Sequence, residues 1–150
     1  VLLDPAIAGD AELMRAKATE VMGRGGHATE RVALVERIDG SADPAVREAA
    51  ELEIVHPLER RDDGTFWFRY DKAAAVAAFG EICQPVPELD EPRPTLVVAA
   101  TRAPFVTPEV LDALGAQLGD LLEVVELDCG HMVMWERLDE TVELVDGFLD

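Results

Sequence analysis

The stretch Pro94-Thr95-Leu96-Val97-Val98-Ala99-Ala100 is an apolar run closed by the polar pair Thr101-Arg102. A strand with one wet face alternates apolar and polar side chains. A run without alternation fits a parallel strand covered on both faces. Immediately downstream, Thr107-Pro108-Glu109 has threonine at a capping position and proline at the first helical one, which predicts a helix to about Leu118. Gly119-Asp120 ends it, and Leu122-Glu123-Val124-Val125-Glu126-Leu127 predicts a second strand. Gly130-His131 follows at once, then a last helix from about Leu138 to Leu149, with Leu138, Val142, Val145 and Leu149 expected on one face. Strand, helix, strand, helix with short connections predicts the α/β class, a parallel sheet covered by helices.

Working outward, Pro85 to Pro94 is rich in proline and acids and reads as a linker. Before it, residues 10–88 are mainly helical in pattern. Apolar residues from Ala11 to Met22 recur at helical spacing behind Asp10, a plausible cap, and Gly23, Gly25 and Gly26 stop the helix. Further helices are expected over Thr29–Ile38, from Asp43-Pro44 to about Val55, and from Lys72 to Ile82 behind Asp71. Asp62-Asp63-Gly64 predicts a turn leading into the aromatic run Phe66-Trp67-Phe68. At the start, Val1-Leu2-Leu3-Asp4-Pro5-Ala6 reads as a buried strand ended by Pro5, which has no N–H for a ladder. An unpaired strand edge is a liability. The expectation is that upstream sequence completes the sheet, as a separate or cleaved chain.

At 150 residues and 49% hydrophobic, the chain can bury a core and is too apolar for disorder. A net charge of -18 repels phosphate backbones and anionic lipid surfaces, so neither nucleic acid nor membrane is an expected partner. No apolar run approaches the roughly 20 residues that span a bilayer, and a cytoplasmic location is expected. Cys83 and Cys129 form no disulfide framework, and no His/Cys/Asp/Glu grouping has metal-ligand spacing, so neither a metal nor a cofactor is expected. Cys129 is expected to be a small buried residue.

The segment Pro94–Asp150, with its two strands, Gly130-His131 and a terminal helix ending Gly147-Phe148-Leu149, resembles the end of the α/β-hydrolase fold family. Leu2-Leu3-Asp4-Pro5-Ala6 is similar to that family's sixth strand and exit turn. Residues 10–88 stand where members insert a helical cap, and Asp63 to Asp71 looks like a segment near the end of such caps. The resemblance implies three parts: residues 1–9 as strand and turn of the core, 10–88 as cap, and 89–150 as the C-terminal part of the core.

The resemblance implies that His131 is the catalytic histidine, taking a proton from a serine at a nucleophile elbow and returning it to the leaving group. Imidazole suits both steps because its ordinary pKa lies near neutrality. Gly130 is expected to let the backbone turn and present the ring. His27 and His56 are expected in cap or loop duty. The family's usual acid position is best matched by Ala103, so another carboxylate is needed. Some lipases and dehalogenases of the fold take it from the end of the sixth strand, which Asp4 resembles; Asp128 and Glu109 are the rivals, and Asp4 capping its own turn is the simpler reading. Met132, Met134 and Trp135, with Trp67 from the cap, are expected to line an acyl pocket, though such residues also serve as plain core.

No Gly-x-Ser-x-Gly occurs, and the sole serine, Ser41, sits in the turn Asp39-Gly40-Ser41-Ala42-Asp43. The expected function is therefore the histidine-bearing chain of a serine hydrolase for a small hydrophobic ester, lactone or related acyl substrate. Its nucleophile would come from the N-terminal portion of the same hydrolase. A non-catalytic relative with a binding or scaffold role is the alternative. Fold alone does not choose between esterase and the peptidase, epoxide hydrolase, dehalogenase or carbon–carbon hydrolase chemistries that share it.

Overall fold

The computed structural model describes residues 1–37, 48 and 58–150. Ser41, His56 and all but Glu48 of the helix expected from Asp43 to Val55 lie outside the described residues. The chain divides into two compact units, Val1–Ala11 with Gly80–Asp150, and Glu12–Phe79.

The first unit is built on a parallel sheet. Strand β1 is Leu2–Leu3, β4 is Thr95–Ala100 and β5 is Leu122–Leu127, in the order β1-β4-β5. Leu2 faces Val97 and Leu3 faces Val98, while Thr95 to Ala100 run in register with Leu122 to Leu127. The central β4 is buried from Leu96 to Ala100, as its unbroken apolar run requires. Its alternating side chains serve two cores. Leu96, Val98 and Ala100 meet Cys129 and Val133, with Leu144 and Phe148 packed against them. Val97 meets Val110, Leu114 and Leu118 of helix α4, Pro108–Leu118, on the other face. Each such side chain withdrawn from water contributes about 1.5–3 kcal/mol.

Local chemistry fixes the element ends. Thr107 Oγ1 accepts from the Val110 amide at 3.4 Å, capping α4 behind its N1 proline. Gly119, with φ of 53°, closes it. Two short elements follow β5: α5, Val133–Glu136, and α6, Leu138–Leu149. The apolar face expected on α6 is not the one that packs on the core. Thr141 is buried and Leu144 and Phe148 pack on the core, whereas Leu138, Val142 and Leu149 are exposed. The helix carries apolar residues on two sides, and periodicity alone selects the wrong one. The stretch 85–94 is tied to α4: Gln117 accepts from the Leu89 amide at 2.8 Å and donates to the Pro87 carbonyl at 3.1 Å.

In the second unit, α1 (Ala11–Gly23) and α2 (Glu30–Arg37) fall where expected. A hairpin of β2, Leu58–Arg60, and β3, Phe66–Phe68, was not legible as strand pairing. Its turn rests on Gly64, at φ of 83°, and on Asp63, which accepts from the Thr65 amide and hydroxyl at 2.9 and 2.6 Å. His27 forms a bridge to Phe66 and lies edge-on to Phe68, which is a structural use of that residue. Helix α3, Lys72–Ile82, starts with Asp71 accepting from the Ala74 amide at 3.0 Å.

Candidate active site

Parallel strands deliver their C-terminal ends to one edge of the sheet, where α/β folds collect ligands. Here those ends carry Asp4 after β1, Thr101 to Phe105 after β4, and Asp128 to His131 after β5.

Asp4 is fully buried. Its amide donates to the Val98 carbonyl at 2.7 Å, prolonging the β1–β4 pairing by one residue. Its φ of 43° is in the left-handed region, which Asp tolerates better than most residues. That turn aims the carboxylate across the end of β4. Oδ1 accepts from the Ala100 amide at 3.1 Å, and Oδ2 lies 2.7 Å from His131 Nδ1. A carboxylate only accepts, so Nδ1 carries the proton and donates it. In the neutral form of the ring the lone pair then lies on Nε2. The His131 side chain is 44% exposed, and the Phe105 ring lies against it at 4.4 Å between centroids.

The loop that presents His131 is clamped at successive residues. The Arg102 guanidinium meets Asp128 Oδ1 at 3.2 Å, the Asp128 carbonyl at 3.2 Å and Glu136 Oε2 at 2.7 Å. The Arg102 amide donates to the Cys129 carbonyl at 3.1 Å, and Arg137 donates to the Asp128 carbonyl at 3.0 Å. Glu136 Oε1 accepts from the Gly130 amide at 3.0 Å. The reason for glycine at 130 is thereby corrected. Gly130 is not among the positive-φ glycines; instead, a Cβ there would stand 2.6 Å from Glu136 Oε1. Cys129 is buried, and burial first, then the Glu136 carboxylate, pushes its thiol pKa up, which makes it a poor nucleophile.

The rival acids point elsewhere. Asp128 is 82% exposed and engaged by Arg102. Glu109 lies in the first turn of α4, where a hydrogen bond to its own backbone amide and then the Thr107 hydroxyl lower its pKa. Ala103 packs against the Leu96–Val98 core and donates its amide to the Ala100 carbonyl. Met132 and Met134 are exposed and Trp135 half-buried beside the histidine loop. Trp67 belongs to the second unit, where Arg61 lies 3.9 Å over its ring. Sequence reasoning missed Phe105, Arg102, Glu136 and Arg137. No local signal marks them, because their partners lie up to 34 residues away. Among the described residues no group of His, Cys, Asp and Glu could hold a metal, and no helix is long and apolar enough to cross a membrane.

No protein-family model matches the chain. The solved structure of E-2-(acetamidomethylene)succinate hydrolase superimposes with a TM-score of 0.72 at 17% identity, covering 94% of this chain and 53% of that one. A marine microorganism esterase gives 0.64 at 11% identity, covering 91% and 52%. The fold is that of the α/β-hydrolases. In sequence, this chain is 28% identical over 150 residues to the lipase LipV of Mycobacterium tuberculosis, covering 97% of this chain and 56% of that protein. It spans about half the length of the relatives it matches.

Proposed function

We propose that this chain supplies the histidine and the acid of a serine hydrolase. His131 is the general base and Asp4 orients its ring, while the serine comes from the N-terminal portion of the same hydrolase, as a separate or cleaved chain. The substrate class is a small hydrophobic carboxylic ester, lactone or related acyl compound. The observation that carries the reading is the 2.7 Å contact of His131 Nδ1 with a fully buried carboxylate. A buried acid holding one face of a half-exposed imidazole fixes its tautomer and stabilises the cation formed on proton uptake. The lipase and esterase names among the relatives support the ester class. The single serine, outside any elbow motif, supports a nucleophile located elsewhere.

In the assembled reaction, Nε2 takes the serine proton as oxygen attacks the acyl carbon, then returns it to the leaving alkoxide. Met132, Met134 and Trp135 border the acyl group. In the complete hydrolase, His131→Gln should lower kcat at least about a hundredfold with folding unchanged. It should also slow fluorophosphonate labelling of the serine. Turnover above about a tenth of normal would overturn the role and favour a non-catalytic binding protein.

A further inference from the structure

The Glu12–Phe79 unit contains a cavity of about 280 Å³, lined chiefly by Arg24, Arg61, Lys72, Trp67, Phe68 and Tyr70. The chain as a whole has 31 acids against 13 Lys and Arg. Three of those few cations converge here, and none of the described lining residues carries a carboxylate.

How each cation is compensated decides what the cavity can take. Arg24 is paired, with Nη2 at 2.7 Å from Glu20 Oε1. Lys72 is half-buried, and its ammonium donates to the Met22 carbonyl at 3.2 Å and to the Arg24 carbonyl, both neutral acceptors at the end of α1. An ammonium has three donors, and a cation drawn out of water ordinarily gains a counter-ion. The Arg61 guanidinium carbon lies 3.9 Å from the centroid of the Trp67 ring, and the Lys72 ammonium is 5.5 Å from the same ring. Among the described residues no carboxylate lies within salt-bridge distance of Arg61 or Lys72, and the exposed Asp63 carboxylate attracts Arg61 only as a minor influence behind its own hydrogen bonds to Thr65. Two like charges thus share one aromatic face system, an arrangement that an anion placed between them relieves. The Trp67 N–H is already given to Thr65 Oγ1 at 2.8 Å, so the indole offers a guest no donor, only ring surface beside Arg61.

We propose that this cavity binds a small carboxylate carried on a planar, unsaturated body. The carboxylate is held by Arg61 and Lys72, and the body lies against Trp67, Phe68 and Tyr70. At about 280 Å³ the volume falls just below the roughly 300–1,000 Å³ of small-molecule sites, which limits the guest to about the size of a single ring. The proposal stands on this unit alone and is separate from the reading of His131.

Calorimetric titration tests it, using the full chain together with its N-terminal portion where that is needed for a cooperative melt. Benzoate should bind saturably, with benzamide and acetate each at least about tenfold weaker, as expected when a charge-assisted hydrogen bond or the stacking body is lost. Arg61→Gln, at an exposed position, should weaken benzoate by about the same factor, and Lys72→Arg should retain binding. Equal affinity for benzamide would overturn the proposal. So would an unchanged affinity in Arg61→Gln, or inorganic phosphate binding as tightly as benzoate. Binding is read without turnover, so this result and that of the ester-cleaving test are independent.

Discussion

Asp4 divides its two oxygens between a backbone amide and an imidazole, and both partners are needed for the geometry to hold. Replacing it with Asn keeps the volume but puts a donor on one side. If the new amide nitrogen faces His131, Nδ1 must become the acceptor and the proton moves to Nε2, the nitrogen required as base. If it faces Ala100 instead, a buried N–H is left without an acceptor, which costs about 1–3 kcal/mol. Asp4→Asn in the complete hydrolase should therefore depress kcat by about 10³–10⁴-fold and KM little, the pattern of a wrong tautomer. Nitrogen NMR of His131 at neutral pH should find the proton on Nδ1 in the unmodified protein and on Nε2 in the variant. An unchanged tautomer with normal turnover would remove Asp4 from the mechanism.

The elements explain why the histidine loop holds its shape. Gly130 and Glu136 touch across the turn between β5 and α5, and Arg102 after β4 locks the Glu136 carboxylate in place. Gly130→Ala should destabilise by about 1–3 kcal/mol, because its methyl expels Glu136 and strands the Gly130 amide. In a Glu136→Ala background the same change should cost clearly less, a coupling readable from urea melts of the four proteins. Additive losses would mean that the close approach has no consequence. None of this was visible in sequence. The strands 95–100 and 122–127 and the helix begun by Thr107-Pro108 were legible because each is announced by neighbours a few residues away. The Arg102–Glu136 contact joins residues separated by a helix and a strand. The β2–β3 hairpin hid within helix-rich surroundings because three-residue strands are too short to show a period. For Asp4 and His131, sequence placed each at a strand end. Only the order β1-β4-β5, which sets both across the end of the central strand, brings them into contact.

At the scale of the molecule, the proposal of a separate N-terminal portion predicts that two terms weaken the chain on its own. Among the described residues the sheet has three strands, and one edge is the two-residue β1, paired only with β4. Parallel sheets of this kind are normally broad and covered, and an open edge leaves backbone groups to water or to aggregation. The second term is the net charge of -18, which self-repels in the compact state. The isolated chain should therefore show no cooperative melt at about 0.01 M NaCl, where charges interact over about 30 Å. Raising salt to about 1 M cuts that reach to about 3 Å and removes the repulsion but not the open edge. Salt should accordingly compact the chain without giving it a sharp transition, and only the N-terminal portion should restore one. Acidification is no substitute. Glu20, whose hydrogen bond to Arg24 holds its pKa below the ordinary 4.5, and Asp63, lowered by Thr65, bind protons less readily folded than unfolded. Their stabilising effect is present above the unfolded values and disappears as pH falls through the folded ones. Circular-dichroism melts at the two salt concentrations, with and without the N-terminal portion, decide the matter. A soluble, cooperatively melting monomer of the 150-residue chain in low salt would show that the three-stranded unit needs no complement.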